Sequence, residues 1–446
     1  MNGVQRLNND RLFSGIFIRW NCLTLTEKVV CTCIILIPLW WLWGWRNLYL
    51  FGSLGIGAYE FLNFGNVNLK RPSVSVIGVI AFGLYDLINT YFYTQYNNIE
   101  FKPSDVLVPI DELISVGFIL WYIQSKNLRV RLQVIAWALS VSVLTMFLFW
   151  LVLFFVMHQA KYVPLRSVYG FLTGKGEEYI PGAGNSNYLI PYFYDDTSLP
   201  GMVRYVYFFH GPESLAVFLG FICLLALDIK NRLWSSLLFI TSFFLLLTSG
   251  TRAVWVALPI VLCLRYLLTV GKAAGIWFLC ALIAIVSFST LSVPLVSNLV
   301  FSSANNTASA TGGFRQDSTE VRQEIYRRTF VEISEASDAH LFLGHVVPGE
   351  GVLPGYAPAK VGTHSFILGR LLYRSGLVGT GIFLIFWISL LLWLYNTRQS
   401  RPMCLIVFVM FHLNFTTMEM EMTVIPVTLI CTMLLDKSKK LPSYRR

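Results

Sequence analysis

LLLTSGTRAVWVALPIVL, residues 245–262, places one charged side chain, Arg252, between two apolar runs, the second of them broken by Pro259. An arginine at the centre of a bilayer costs about 3 kcal/mol or more. Such a run therefore belongs either to a soluble core or to a membrane surface where the charge has work to do. The rest of the chain decides between them. Of its 446 residues, 55% are hydrophobic and 13% charged, and the mean hydropathy is +0.61. That is too apolar for a soluble protein of this length. The composition predicts an all-α polytopic integral membrane protein, a single membrane domain over residues 1–446.

Working outward from Arg252, stretches long enough to cross roughly 30 Å of hydrocarbon as helices lie at 29–45, 46–64, 74–93, 106–124, 131–157, 206–227, 233–249, 252–268, 273–296, 377–396, 402–416 and 419–436. These are the expected twelve spans. Polar residues run to Lys28 with no small-residue cleavage site after the first apolar stretch, so the first span reads as its own insertion signal. Every second loop is basic, among them Lys70–Arg71, Lys126 to Arg131, Lys230–Arg232 and Arg398–Arg401. Lys and Arg bias loops to the cytoplasm, which puts both termini inside and the two long loops, 158–205 and 297–363, outside. Arg252 then falls at the outer surface. The net charge of +10 is spent on these inner loops, which excludes nucleic acid as the expected partner. The eight cysteines form no CxxC pair with a matching histidine, so neither a disulfide framework nor a zinc site is expected.

Ionisable groups inside spans are functional candidates by default. Asp86, Asp111, Glu112, His210 and Glu213 all fall towards the outer leaflet with Arg252, whereas Glu60 lies near the inner end of its span. In the second long loop, DSTEVRQEIYRRTF predicts a helix over 318–335, with Asp317 and Glu320 imitating a capping box and with Arg322 and Tyr326 on one face. A Gly- and Pro-rich loop follows. The chain resumes as THSFILGRLLYRSGLVG, where His364 heads a short helix with Leu368, Leu371 and Ser375 beneath it. Arg370 and Arg374 are expected to snorkel to lipid headgroups.

LTSGTRAVWVALPIVL, DSTEVRQEIYRRTF and THSFILGRLLYRSGLVG, in this order and on one side of the membrane, resemble the bacterial O-antigen ligases and the related O-antigen polymerases. The likeness in layout extends over the twelve spans. Ala253 and Ser365 stand where the family often has Gly and Asn. The resemblance implies a glycosyltransferase C-like fold in the inner membrane, with a periplasmic active site that needs neither cofactor nor metal. The donor implied is a glycan on undecaprenyl diphosphate, and the acceptor is a lipid A core sugar or a second lipid-linked glycan. It further implies that Arg252 and Arg322 bind the diphosphate, that His364 is the catalytic base and that the sugar centre is inverted. His210, Glu213, Asp86, Asp111, Glu112 and Tyr326 are second-rank candidates for holding sugars or balancing arginine charge. A polymerase differs only in its acceptor. A transporter or flippase would instead use Asp86, Asp111 and Glu60 as ion sites, although no internal repeat is visible; a scaffold would leave the outer arginines and histidine without a role.

Overall fold

The computed structural model describes residues 12–158, 160–175, 178–179, 185–193, 203–270, 281, 316–353, 359–415, 418 and 425–436. The expected span 273–296 apart from residue 281, both termini, the start of the second long loop and Cys280 lie outside them. The described residues are mostly helical: α1 (Leu25–Ile35), α2 (Ile37–Trp43), α3 (Leu48–Phe64), α4 (Val74–Tyr96), α5 (Pro103–Pro109), α6 (Val116–Ser125), α7 (Leu132–Leu151), α8 (Val168–Leu172), α9 (Pro212–Ala226), α10 (Arg232–Thr248), α11 (Arg252–Val270), α12 (Gln316–Ser334), α13 (Asp338–Leu343), α14 (Gly376–Asn396), α15 (Cys404–Phe415) and α16 (Ile425–Leu434). π-Helical turns occupy Ile110–Ser115, Val152–Val156 and Phe366–Ser375. The β-structure among the described residues is limited to two-residue strand pairs, two of them within the first long loop and its end, and one isolated bridge between Gly351 and Lys360.

Four helical runs are long and apolar enough to cross a membrane: Val74–Tyr96, Pro103–Lys126, Leu132–Val156 and Phe366–Asn396. The pair α1 and α2 makes a fifth if it counts as one span, bent by 59°. The bend has a local cause. Pro38 has no N–H to give the Ile34 carbonyl, and the Ser142 hydroxyl from α7 donates to that carbonyl at 2.8 Å instead. The expected continuous span 29–45 is thus two helices. The expected span 206–227 becomes helical only at Pro212, a residue suited to the first turn of a helix.

At the centre stands α9, in which every residue but Glu213 is buried. A helix apolar on all sides is covered by protein or by lipid, and here α7, α10, α11 and α16 supply the cover. Elsewhere small residues allow close approach: a Cβ on Gly78 of α4 would lie 2.9 Å from the Phe386 backbone of α14. The basic loops are pinned by acids, with Arg131 on Glu27 at 2.7 Å, Lys126 on Glu60 at 2.6 Å and Arg265 on Asp228 at 2.9 Å.

Two local expectations are corrected. Arg370 does not reach for headgroups but pairs with Asp86 at 2.8 Å. The segment after His364 is a π-helix, whose wider turn buries Phe366, Gly369, Leu371, Tyr373 and Ser375 and leaves Leu368 off the buried row.

Candidate active site

Glu213 occupies the first turn of α9, where a carboxylate meets the positive end of the helix dipole. Two guanidinium groups share its Oε1: Arg204 at 3.4 Å and Arg322 at 3.7 Å. Arg204 comes from the end of the first long loop, and its Nε also donates to the Ser249 carbonyl at 3.2 Å. Its aliphatic stem lies over Gly250, which has φ +67 and where a Cβ would come within 3.0 Å of Arg204 Cγ. The next residue, Thr251, donates from its hydroxyl to the Pro212 carbonyl at 3.0 Å. The turn 249–251 is thereby fastened to the mouth of α9 on both sides, and Arg252 begins α11 directly after it.

Arg322 arrives on α12. The same helix carries Arg327 and Arg328, which turn away and both bind Glu324, at 2.8 and 2.7 Å; the Arg327 and Arg328 hydrogen bonds hold that carboxyl down at about 2. The three arginines of YRRTF and its surroundings therefore do not form one basic face. One turn beyond Arg322, the Tyr326 hydroxyl donates to the His364 carbonyl at 3.0 Å. Another turn on, buried Thr329 accepts from Gly362 N–H at 2.9 Å, and Glu332 accepts from the Tyr373 hydroxyl at 2.7 Å. With Ile325 fully buried, α12 is docked along the chain from 362 to 373. Of the expected capping box, Asp317 lies outside the described side chains and Glu320 is exposed.

His364 has φ +64, a left-handed conformation that costs a non-glycine residue about 1–2 kcal/mol and that histidine visits more readily than most. Its Nδ1 lies 2.8 Å from Thr363 Oγ1. The Thr363 hydroxyl gives its single proton to the Lys360 carbonyl at 2.6 Å, so towards the imidazole it can only accept. In that arrangement Nδ1–H faces Thr363 Oγ1, and a neutral ring has its lone pair on Nε2. That is the tautomer a general base requires.

The second-rank residues separate into different settings. His210, 7% exposed, lies edge-on to Trp45 with centroids 6.2 Å apart, and Trp45 also stacks on Phe209 at 5.5 Å. Asp111 accepts from the backbone N–H groups of Asn47 at 3.0 Å and Leu50 at 2.8 Å. It closes the N-terminus of α3, a structural duty that any short acceptor at that place would be selected for. Glu112 faces Arg46 at 3.8 Å, and Asp86 holds Arg370. Among the described residues no group of three or more His, Cys, Asp and Glu side chains is arranged to hold a metal ion.

Arg204, Thr363 and Arg46 were not singled out from sequence. For the two arginines a signal existed: each stands on the expected outer side, against the bias that places such residues inside. No protein-family model matches the chain, and no curated protein matches it at a significant level.

Proposed function

We propose that the chain is a membrane glycosyltransferase of the O-antigen ligase type, with twelve spans, both termini cytoplasmic and its site on the periplasmic side of the bacterial inner membrane. It moves a glycan from undecaprenyl diphosphate to a sugar hydroxyl of the lipid A core. Arg252 and Arg322 bind the diphosphate, for which a planar, permanently charged guanidinium with two parallel donors is suited. As the glycosidic bond breaks, the leaving diphosphate gains negative charge, and fixed cations aimed at it stabilise the transition state more than the ground state. His364 Nε2 takes the proton of the attacking hydroxyl, a task matched to an imidazole of ordinary pKa about 6.5.

The observation that carries this reading is the reach of α12: Arg322 touches Glu213 at the mouth of α9 while Tyr326, one turn along, holds His364. A cation and a base far apart in sequence are thus anchored by one helix. The ion sites that a transporter would need are otherwise engaged, Asp86 by Arg370, Asp111 by α3 and Glu60 by Lys126.

The test is transfer by the purified chain from a carrier-linked glycan, offered either lipid A core or a second carrier-linked repeat. Arg252→Ala and Arg322→Ala should insert normally and lose transfer, and EDTA should change nothing. Normal transfer by both variants would remove the diphosphate assignment; product on the second repeat alone would make the protein a polymerase.

A further inference from the structure

Residues 163–172 of the first long loop have their polarity inside out. The side against the protein is small or polar: Pro164, Ser167 and Gly170 are buried. Ser167 N–H donates to the Asn187 carbonyl at 2.8 Å and its hydroxyl to the Ser186 carbonyl at 3.0 Å, while a Cβ on Gly170 would come 2.5 Å from the Asn187 carbonyl. The side facing away is large and apolar, with Val163 81%, Leu165 74%, Phe171 72% and Leu172 66% exposed. A loop surrounded by water buries such side chains first, because each is worth about 1.5–3 kcal/mol when covered. Apolar surface gathered in this way marks either a protein partner or a lipid.

Position decides between the two. Just before the segment, α7 and its π-turn end a run long and apolar enough to cross a membrane, Leu132–Val156, and Leu148, Val152, Phe155 and Val156 on that run are all exposed. The apolar surface of 163–172 continues this exposed end. Gly44, where α2 turns towards α3, lies against the same segment, since a Cβ there would come 2.7 Å from Ser167 Oγ. The segment is thus seated at the ends of membrane helices, where hydrocarbon gives way to headgroups. Its exposed cations, Arg166 and Lys175, suit that boundary, for a long side chain there can lay its stem on hydrocarbon and its charge on a phosphate. A second copy of the chain docking patch to patch would bring these like charges together instead.

We propose that residues 163–172 form a monotopic anchor. Val163, Leu165, Phe171 and Leu172 sit in the hydrocarbon of the leaflet at the Val156 end of α7, and Arg166 and Lys175 meet phospholipid phosphates. The anchor needs a membrane around α7 and does not rest on the transferase reading. The same loop returns through the paired strands Tyr192–Phe193 and Arg204–Tyr205 to the Glu213 cluster, so lipid holds one end of the chain that delivers Arg204.

The experiment uses the full chain in nanodiscs of phosphatidylethanolamine and phosphatidylglycerol. In one arm p-benzoylphenylalanine replaces Phe171, and in a control it replaces Arg327, an exposed residue of α12 paired with Glu324. Irradiation should add the mass of a phospholipid to the first variant roughly tenfold more often than to the control. In the other arm the unaltered chain is irradiated with a phospholipid carrying a diazirine in its acyl chain, and peptides covering 163–172 should be labelled together with those covering 148–156. Equal lipid capture at positions 171 and 327, labelling of 148–156 without 163–172, or adducts of doubled protein mass from position 171 would each overturn the anchor, the last in favour of a contact between copies. Lipid labelling of 163–172 in a preparation that transfers no glycan would leave the anchor standing and count against the transferase reading alone.

Discussion

The Tyr326 hydroxyl donates to the backbone carbonyl of His364 at 3.0 Å, across 38 residues of sequence. Because the bond goes to the main chain, it fixes where the histidine stands without touching the ring's titrating nitrogens. Tyr326→Phe removes it at the net worth of one hydrogen bond, about 1 kcal/mol. Turnover should fall roughly fivefold with the KM for the carrier-linked donor nearly unchanged. A parallel rise in KM would mean that Tyr326 serves binding.

With its own proton on the Lys360 carbonyl, Thr363 Oγ1 is the acceptor that favours a proton on His364 Nδ1. Thr363→Val leaves Nδ1–H without its acceptor, and the proton can move to the nitrogen that should stay bare. We expect turnover to drop roughly tenfold or more with a shifted pH profile, and Thr363→Ser to restore both. A valine variant with an unchanged profile would show that the ring is held by something else.

Glu213 stands between two guanidinium groups. In Glu213→Gln their repulsion is no longer offset, and stability should fall by about 0.5–1 kcal/mol for these partly exposed pairs. Inorganic diphosphate, by taking the vacated charge position, should raise the melting temperature of the variant more than that of the parent. Equal shifts in both proteins would place the diphosphate away from Glu213.

His364→Asn tests the backbone separately from the chemistry, since asparagine tolerates the left-handed conformation. The variant should melt within a degree or two of the parent, as ordinary partly exposed substitutions do, and should lose transfer. Retained transfer would remove His364 as the base.

A stack of three rings gives a pH dependence. His345 lies between His340, at 4.5 Å, and Tyr373, at 4.3 Å, and burial together with the His340 charge pushes its pKa below the ordinary value. The folded state therefore binds this proton less readily than the unfolded chain. Stability from this group is complete above about pH 6.5 and is lost as pH falls from there towards the lowered folded value. Hydrogen exchange over residues 338–350 should quicken between neutral and mildly acidic pH, and His345→Phe should flatten that dependence.

The helices most legible from sequence were those whose apolar runs are bounded by charged or turn-forming residues. The expected 46–64 is found as Leu48–Phe64, 74–93 as Val74–Tyr96, 131–157 as Leu132–Val156 and 318–335 as Gln316–Ser334. What sequence could not give was decided by partners distant in the chain. Ser142 relieves the break at Pro38, Arg370 is claimed by Asp86, and Asp111 is spent on the first turn of α3. The π-helical turns were equally hidden, because an apolar pattern does not distinguish a slightly wider helix. Arg252, Arg322 and His364 were named from motifs and Glu213 from its setting, but Arg204, which shares Glu213 with Arg322, was not. Its signal lay in the charge bias of the loops and not in a motif.

Helix α9 has 15 residues and so reaches only about 22 Å, short of the roughly 30 Å that hydrocarbon demands. The residues leading into it, 205–210, are extended or turned yet buried, which in a bilayer is sustainable only inside a protein wall or beside trapped water. If α9 crosses a bilayer with its Ala226 end level with one lipid surface, its Glu213 end stops several ångströms short of the other. On the proposed function a lipid-anchored pyrophosphate would then have to descend to meet it, and thicker bilayers should slow transfer even where nothing in the polypeptide has changed.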